Sequence, residues 1–357
     1  MILSNGKLPK THNKMTLLKL RALDTLFFRD GKPFSMGDET WADGIFPPPP
    51  SVIYGALRTA YLSENIAELA NANTQDDKTK NLIINFCAFH SGDKFYYPCP
   101  LDVVEKKKQK DINKPEYTIL NLEEKPENFY SSLGLSFLLQ AEEQVEEASG
   151  LMSEISLREY LHKNKIPKTL KNNYLKEESK VGIGKNNLTN TSDEGMLYRV
   201  GMKRLANIGL AVGFSGVKIT QNGLMRLGGE GKSVSFSSEN SLPNIAMPEQ
   251  LSEEYFKVYL ATPAIFTEGW KPSDEKVSGA KLIAACIGKP LYIGGFDMKP
   301  KDGNKARPKP MRRAVPAGSV FYYKGSRECA EKLHATSISD YGSKQGFGIA
   351  YVGSVNK

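Results

Sequence analysis

The stretch SVFYYKGSRECAEKLHATSISDYGSKQGFGIAYVG, residues 319–353, carries the clearest alternation of elements in the chain. SVFYYK (319–324) is built of β-branched and aromatic residues that suit a pleated, half-buried surface, and it reads as a strand. RECAEKLH (327–334) reads as a helix and GFGIAYVG (346–353) as a second strand. Upstream, a basic, proline-rich loop (297–316) leads back to a strand PLYIGGF (290–296). Before it come a helical SGAKLIAAC (278–286) and a strand YFKVYLAT (255–262). The order is β-α-β-β-α-β.

That order is the ferredoxin-like split βαβ, and the N-terminal half follows it with larger insertions. Residues 16–28 (TLLKLRALDTLFF) read as a strand, followed by a turn at DGKP (30–33), with the φ-permissive glycine and φ-fixing proline that turns use. In FPPPPSVIYGALRTAYL (46–62), four prolines cannot be helix interior, but apolar positions 53, 56, 57, 60 and 61 then fit a period of 3.6. Ser51 is the natural N-cap of that helix. Strand-like segments recur at 82–89 and 94–97, a basic loop at 106–114, a glutamate-rich stretch at 137–149 and a helix at 154–162. Residues 163–195 are rich in Lys, Asn, Thr and Gly and read as an insertion or long arm. Short strands and glycine turns return over 196–236, and the polar 237–250 marks a boundary. The expected fold is α+β: two ferredoxin-like (RRM-like, βαββαβ) domains with insertions and a C-terminal Gly-rich loop. A flexible arm (1–14) precedes an N-terminal domain (15–245) carrying insertions at about 100–150 and 163–195, and a C-terminal domain spans 251–357.

A chain of 357 residues, 40% hydrophobic and 25% charged, is ample for two domains with their own cores and too apolar for disorder. Lys and Arg number 48 against 40 Asp and Glu, a net charge of +8 compatible with a nucleic-acid partner without proving one. Cys87, Cys99, Cys286 and Cys329 lack C-x-x-C spacing, and the four histidines stand apart, so no metal or other cofactor is expected. With no long apolar run and no signal peptide, a cytoplasmic protein is expected.

RLGGEGKSVSF (226–236) is tempting as a phosphate loop. Gly231, Lys232 and Ser233 match the end of a P-loop, but position 226 is Arg and the following residues read as a strand. Paired carboxylates for a two-metal palm site are also missing, since Glu230 stands alone. What survives is a tight turn, either a plain hairpin or one bringing backbone N–H groups and Lys232 near an anion. At 46–61 a capped helix end would offer unpaired N–H groups, with Ser51, Tyr54, Gly55 and Arg58 on one face. The alternative is a core helix with an ordinary cap. KPKDGNKARPKPMRR (299–313) carries seven basic residues and one acid, held extended by its prolines. It suits capture of a phosphate backbone, or is simply a solvated loop. Gly346, Phe347, Gly348 and Gly353 mark a bulge or a close backbone approach.

DTLFFRDGKPF (24–34), FPPPPSVIYGALRTAY (46–61), SKVGIGKN (179–186), EGMLYRV (194–200), RLGGEGKS (226–233), RPKPMRRAVPAGSVFYY (307–323) and GFGIAYVG resemble, in order, the third Cmr subunits of type III-B CRISPR effector complexes, members of the RAMP superfamily. The resemblance implies two ferredoxin-like domains and a glycine-rich loop, here G-h-G-x4-G, one residue shorter than the usual RAMP pattern. It implies a non-catalytic place at the foot of the complex, holding the single-stranded 5′ tag of the crRNA. The neighbours it implies are the large polymerase-like subunit and the adjacent backbone RAMP subunit, with target RNA met indirectly. Motif position and charge together nominate Arg29, Ser51, Tyr54, Arg58, Lys180, Lys185, Lys232, Arg307, Lys309, Arg312, Arg313, Gly346, Phe347 and Gly348 as RNA-binding residues.

Two other readings stand beside the scaffold. A RAMP endoribonuclease that processes CRISPR repeat RNA needs a histidine as general base or acid, and His90 and His162 lie outside the resembling motifs. A protein adaptor without RNA contact leaves the basic loop without a role.

Overall fold

The computed structural model describes residues 15–29, 41–107, 115–130, 134–185, 189, 191–241, 243–252, 254–277, 279–297 and 306–355. The arm 1–14, the turn 30–33, most of the basic loop 106–114 and the first half of 299–313 lie outside the described residues, as does the side chain of Lys185. The architecture is mixed α/β, dominated by antiparallel strands with few helices. Among the described residues, no helix is long and apolar enough to cross a membrane.

In the N-terminal part the principal elements are β1 (Thr16–Ala22), α1 (Pro50–Glu64), β2 (Ile83–Ser91), β3 (Lys94–Pro98), β4 (Leu151–Ser153) and α2 (Glu154–Lys163). They continue with β5 (Leu175–Lys185), β6 (Ser192–Leu205), β7 (Gly209–Ser215), β8 (Asn222–Arg226) and β9 (Ser233–Glu239). Seven of these strands form one sheet in the order β4-β3-β2-β7-β1-β9-β8. Within it β1 runs antiparallel to β7, with Leu18 opposite Val212, and to β9, with Leu20 opposite Phe236.

Helix α1 buries Ile53, Ala56, Leu57 and Ala60, the i, i+3, i+4, i+7 stripe of an amphipathic helix. It begins at Pro50, with Pro49 as its cap, so Ser51 lies inside the first turn and makes no capping bond. The expected serine cap is therefore corrected. Proline at the first helical position has no N–H to satisfy and a φ already set for helix, so the helix starts two residues earlier. Helix α2 does have a serine cap: Ser153 Oγ accepts the Ser156 N–H at 3.2 Å, a feature worth about 1 kcal/mol. It ends at Asn164 in the left-handed region, φ 49°.

The segment 163–195 is not an irregular arm. Much of it joins a long antiparallel hairpin of β5 and β6, from Leu175 opposite Leu205 to Ile183 opposite Leu197, with the short strand Trp41–Ala42 parallel to β6. Val200 and Met202 of β6 alternate inward onto Phe27, and cross-strand pairing holds the remaining, more polar length.

The C-terminal part contains β10 (Tyr255–Leu260), β11 (Lys281–Cys286), β12 (Val320–Lys324), α3 (Arg327–Leu333) and β13 (Ile349–Ser354). Its sheet runs β11-β12-β10-β13 and ends at the short strand Thr336–Ser337. The helix expected over 278–286 is a strand instead, β11, paired antiparallel with β12. Alanines favour helix, but an open sheet edge beside β12 offers hydrogen bonds and burial that outweigh a propensity of about 0.5 kcal/mol per residue. The expected strand 290–296 leaves the sheet, as described below.

Alternation along β10 ties the two parts together. Phe256, Val258 and Leu260 face one cluster with Phe321, Ala330 and Leu333 from the C-terminal part. Tyr259 faces the other way, into the core built around β1, β2 and α2, joined there by Tyr322 and Tyr351. Gly353 lets β13 lie flush on α2, since a Cβ there would stand 2.9 Å from Leu161 Cδ2.

Candidate nucleic-acid interface

Beyond β11 the chain leaves the sheet and folds back on itself as a two-stranded ribbon. Leu291–Ile293 pairs antiparallel with Arg312–Ala314, placing Tyr292 opposite Arg313 and Ile293 opposite Arg312. Further out, Phe296 pairs with Pro308 and Asp297 with Arg307, and the Lys309 N–H donates to Gly295 O at 2.9 Å. The base is anchored by Ile293 and Ala314, which are buried with Ile265 and Phe347. Because side chains alternate across a strand, anchoring Ile293 turns Tyr292 outward.

The result is a surface of aromatic and basic groups. Tyr292 is 41% exposed, Phe296 54% and Met311 46%. Arg307, Lys309, Arg312 and Arg313 are all exposed. The Arg312 guanidinium lies 3.7 Å from the centroid of the Tyr341 ring, itself 37% exposed, a cation–π stack that fixes the arginine at the surface. Basic groups to track phosphates and open aromatic faces to stack bases are the two parts of a single-strand binding surface. Sequence reasoning found the four basic residues but missed Tyr292, Phe296 and Tyr341. Strict alternation in PLYIGGF was the available signal.

The remaining nominated residues lie elsewhere. Tyr54 donates its hydroxyl to Thr79 O at 3.2 Å. Arg58 donates Nε to Thr79 Oγ1 at 2.7 Å and Nη2 to both Asn73 Oδ1 at 2.9 Å and Asp77 Oδ2 at 2.8 Å. Burial opposes the Asp77 charge, but the Thr79, Asn73 and Arg58 bonds outweigh it and hold the carboxyl at about 2. These two side chains thus fasten α1 to the 72–81 connection. The start of α1 is covered by its own chain: Pro48, Pro49 and Pro50 are buried, and the turn Ser343–Gln345 packs against the helix.

The glycine loop beside that turn closes the same contact. Gly346 has φ 92°, and a Cβ on it would stand 2.7 Å from Ile84 Cγ2 and 3.6 Å from Pro50 Cβ. Gly348, φ 74°, is equally close to Ser339, and its N–H donates to Pro263 O at 2.8 Å. Phe347 is 1% exposed and cannot stack a base, which corrects its nomination. An aromatic between two glycines looks like a presented ring in sequence, but here the glycines permit close backbone packing that buries it.

RLGGEGKS forms the hairpin turn between β8 and β9. Leu227 N–H donates to Lys232 O at 3.0 Å and Gly229 N–H to Phe27 O at 2.8 Å. Lys232 Nζ donates to Asp24 at 2.6 Å, and Lys180 Nζ to Glu230 at 2.8 Å. The Lys232 bond, ahead of a backbone bond from Thr25, holds the Asp24 carboxyl at about 2. Arg29 forms an isolated bridge with Gly44 nearby and is exposed, and Lys185 pairs with Ser192 across the hairpin. The DTLFF, KVGIG and GGEGK motifs therefore meet in one charge-paired cluster.

The described histidines are held by backbone groups. His334 Nδ1 accepts the Val352 N–H at 3.1 Å, so its Nε2 carries the proton and donates to Ile245 O at 2.9 Å. His162 Nε2 donates to Ala246 O at 2.8 Å. His90 belongs to β2 and is buried, with Nδ1 3.4 Å from Gly92 O.

Three solved structures are among those to which the chain is similar. A chain from the type III-B Cmr-beta complex bound to cognate target RNA is 16% identical, with a TM-score of 0.48 over 89% of this chain and 88% of that one. A chain from the same type of complex bound to cognate target RNA and AMPPnP is 16% identical, with a TM-score of 0.47 over 87% and 86%. A chain from the Csm3–Csm4 subcomplex of the type III-A CRISPR–Cas interference complex is 11% identical, with a TM-score of 0.42 over 96% and 100%. No curated protein sequence matches. The family model of the CRISPR-associated protein Cas_Cmr3 matches residues 18–355, a span that takes in every motif resembling that family, and the chain belongs to it.

Proposed function

We propose that this chain is a non-catalytic, RNA-binding scaffold subunit of a type III-B CRISPR (Cmr) antiviral effector complex. It holds the single-stranded 5′ tag of the crRNA at the base of the complex, beside the large polymerase-like subunit and the adjacent backbone RAMP subunit. The observation that carries the RNA contact is the ribbon: Tyr292 and Phe296 open to solvent beside Arg307, Lys309, Arg313 and the Arg312–Tyr341 stack. Family membership supplies the setting.

The body that carries the ribbon is two ferredoxin-like units. In order of sequence, a βαββαβ chain lays its strands as 4-1-3-2. Strands β9-β1-β7-β2 and β13-β10-β12-β11 both follow that order. Each unit keeps one of the two helices: α1 after the first strand of one, α3 after the third strand of the other.

Reversing Lys309, Arg312 and Arg313 to glutamate in the reconstituted complex tests the role. Loss of crRNA retention that deepens with salt supports it. Unchanged retention at every salt concentration supports a pure adaptor instead. Specific, metal-independent cleavage of labelled repeat RNA by the pure protein, abolished by a histidine change, would establish the nuclease.

A further inference from the structure

The outer face of the C-terminal sheet lacks the helix that a βαββαβ unit places between its first two strands. The segment 261–280 lies there instead, laying Ala264, Phe266 and Val277 on Phe256, Phe321 and Tyr323. An irregular segment covers a sheet less completely than a helix does, and a cleft of about 400 Å³ remains beside β11. Its walls include Trp270, Lys271, Asp274, Lys281, Leu282 and Tyr323. The Tyr323 ring is fixed by a stack on Phe256, 5.6 Å between centroids and 23° between planes. Its hydroxyl is sealed from bulk solvent and has no hydrogen-bond partner. Phenylalanine would fill the same space without that penalty. Asp274 lines the same cleft, and burial and then its carboxylate raise the pKa of this phenol. At the mouth, Lys271 contacts Glu268 at 2.8 Å, while Lys281 is exposed with no ion pair among the described residues.

We infer that this cleft is a mononucleotide site. The base inserts toward Tyr323 and Asp274, with its face on the Trp270 indole, and the phosphate meets Lys281 at the rim. The donor set selects among bases. A carboxylate accepts from an exocyclic amino group and a phenol donates to the adjacent ring nitrogen, which suits adenine and cytosine and rejects uracil. The volume is in the range of small-ligand pockets and suits a single nucleotide. The nucleotide is either free or the terminal residue of an RNA, since both present the same chemistry.

Calorimetry and thermal shift on the full chain test it with AMP, CMP, UMP, inorganic phosphate and a 5′-phosphorylated adenine trinucleotide RNA. The expected result is saturable binding of AMP and CMP, with UMP about tenfold weaker and phosphate alone silent. Tyr323→Phe should fold at least as well yet lose about tenfold in affinity, and Lys281→Glu should weaken binding. A trinucleotide tighter than AMP assigns an RNA end, and equal or weaker binding assigns a free nucleotide. The inference is overturned if no mononucleotide binds at millimolar concentration, or if Tyr323→Phe binds as the parent does. Arg312→Glu/Arg313→Glu protein should bind AMP normally, so failure of the ribbon and failure of the cleft are distinguishable.

Discussion

The Lys257 ammonium stands 3.5 Å from the centroid of the Tyr160 ring, and both residues are fully buried where α2 meets β10. Lys257 donates to Asn164 Oδ1 at 2.6 Å. Tyr160 and Tyr322 donate their hydroxyls to the buried Asp102, at 2.6 and 2.5 Å for its Oδ2. A cation, an aromatic face and a carboxylate thus join the N-terminal part, α2 and the C-terminal sheet through one polar chain inside an apolar core.

Burial pushes the Lys257 ammonium down to about 8, with Asp102 opposing the shift. The folded state therefore loses its proton before the unfolded state does, and this residue contributes a destabilisation that is present in full below pH 8. It is relieved as pH rises from 8 toward the unfolded value of 10.5. Replacing Lys257 by methionine should remove that dependence. The stability of the parent relative to Lys257→Met should then rise by roughly 2–3 kcal/mol between pH 7 and 10 in denaturant titrations. Above pH 10 the buried tyrosines, whose raised pKa values favour the folded state's protons, reverse the trend for both proteins. A difference that stays flat from pH 7 to 10 would show that Lys257 is not desolvated.

Arg58→Ala should destabilise the chain by about 1–3 kcal/mol, because Asp77 would stay buried without its cation. The stabilisation held by Asp77 is present above pH 4 and is lost as pH falls through about 2. RNA affinity of the folded variant should match the parent within about twofold. A large loss of RNA binding at unchanged stability would return α1 to the interface.

Two glycine substitutions should act with opposite sign. Gly55 lies in α1 with nothing within 4 Å of an added Cβ, so Gly55→Ala should stabilise by about 0.5–1 kcal/mol. Gly346→Ala meets Ile84 from a left-handed φ and should cost about 1–3 kcal/mol. Chemical denaturation of both variants reads the pair directly.

The sequence was most legible where one period ran without competition. β2, β3, α2, β10, β12 and α3 lie close to where their apolar patterns place them, while the strand expected over 16–28 ends at Ala22. It misled where tertiary contact decides. KLIAAC became an edge strand because β12 needed a neighbour, and β5 and β6 are held mostly by pairing, with only the short Val200 and Met202 alternation as a hydrophobic signature. Among the site residues, charge was legible and direction was not. FPPPPS and GFG both looked like ligand contacts, yet the two motifs pack on each other through Pro50, Ile84 and Gly346. Lys232 and Lys180, nominated as RNA contacts, each pair with an acid of the same chain, Asp24 and Glu230. Arg307, Lys309, Arg312 and Arg313 remain outward, because a narrow ribbon has no second side against which to bury them.

Removing stacking from the ribbon should weaken RNA differently from removing charge. Tyr292→Ala with Phe296→Ala should cost about 1–3 kcal/mol per stacked base and leave the salt slope unchanged. Lys309→Ala with Arg313→Ala should lower the slope by about one to two. Fluorescence anisotropy on a single-stranded tag oligonucleotide across salt concentrations separates the two effects. A slope altered by the aromatic pair alone would contradict the division of roles.

The most direct measurement is ultraviolet crosslinking of the assembled complex carrying a crRNA whose 5′ tag holds a photoreactive base at each position in turn, read by peptide mass. The expected adducts lie on peptides containing Tyr292, Phe296 or residues 307–313. Adducts confined to other parts of the chain, or tag crosslinks that pass entirely to other subunits, would contradict the ribbon as the RNA-holding surface.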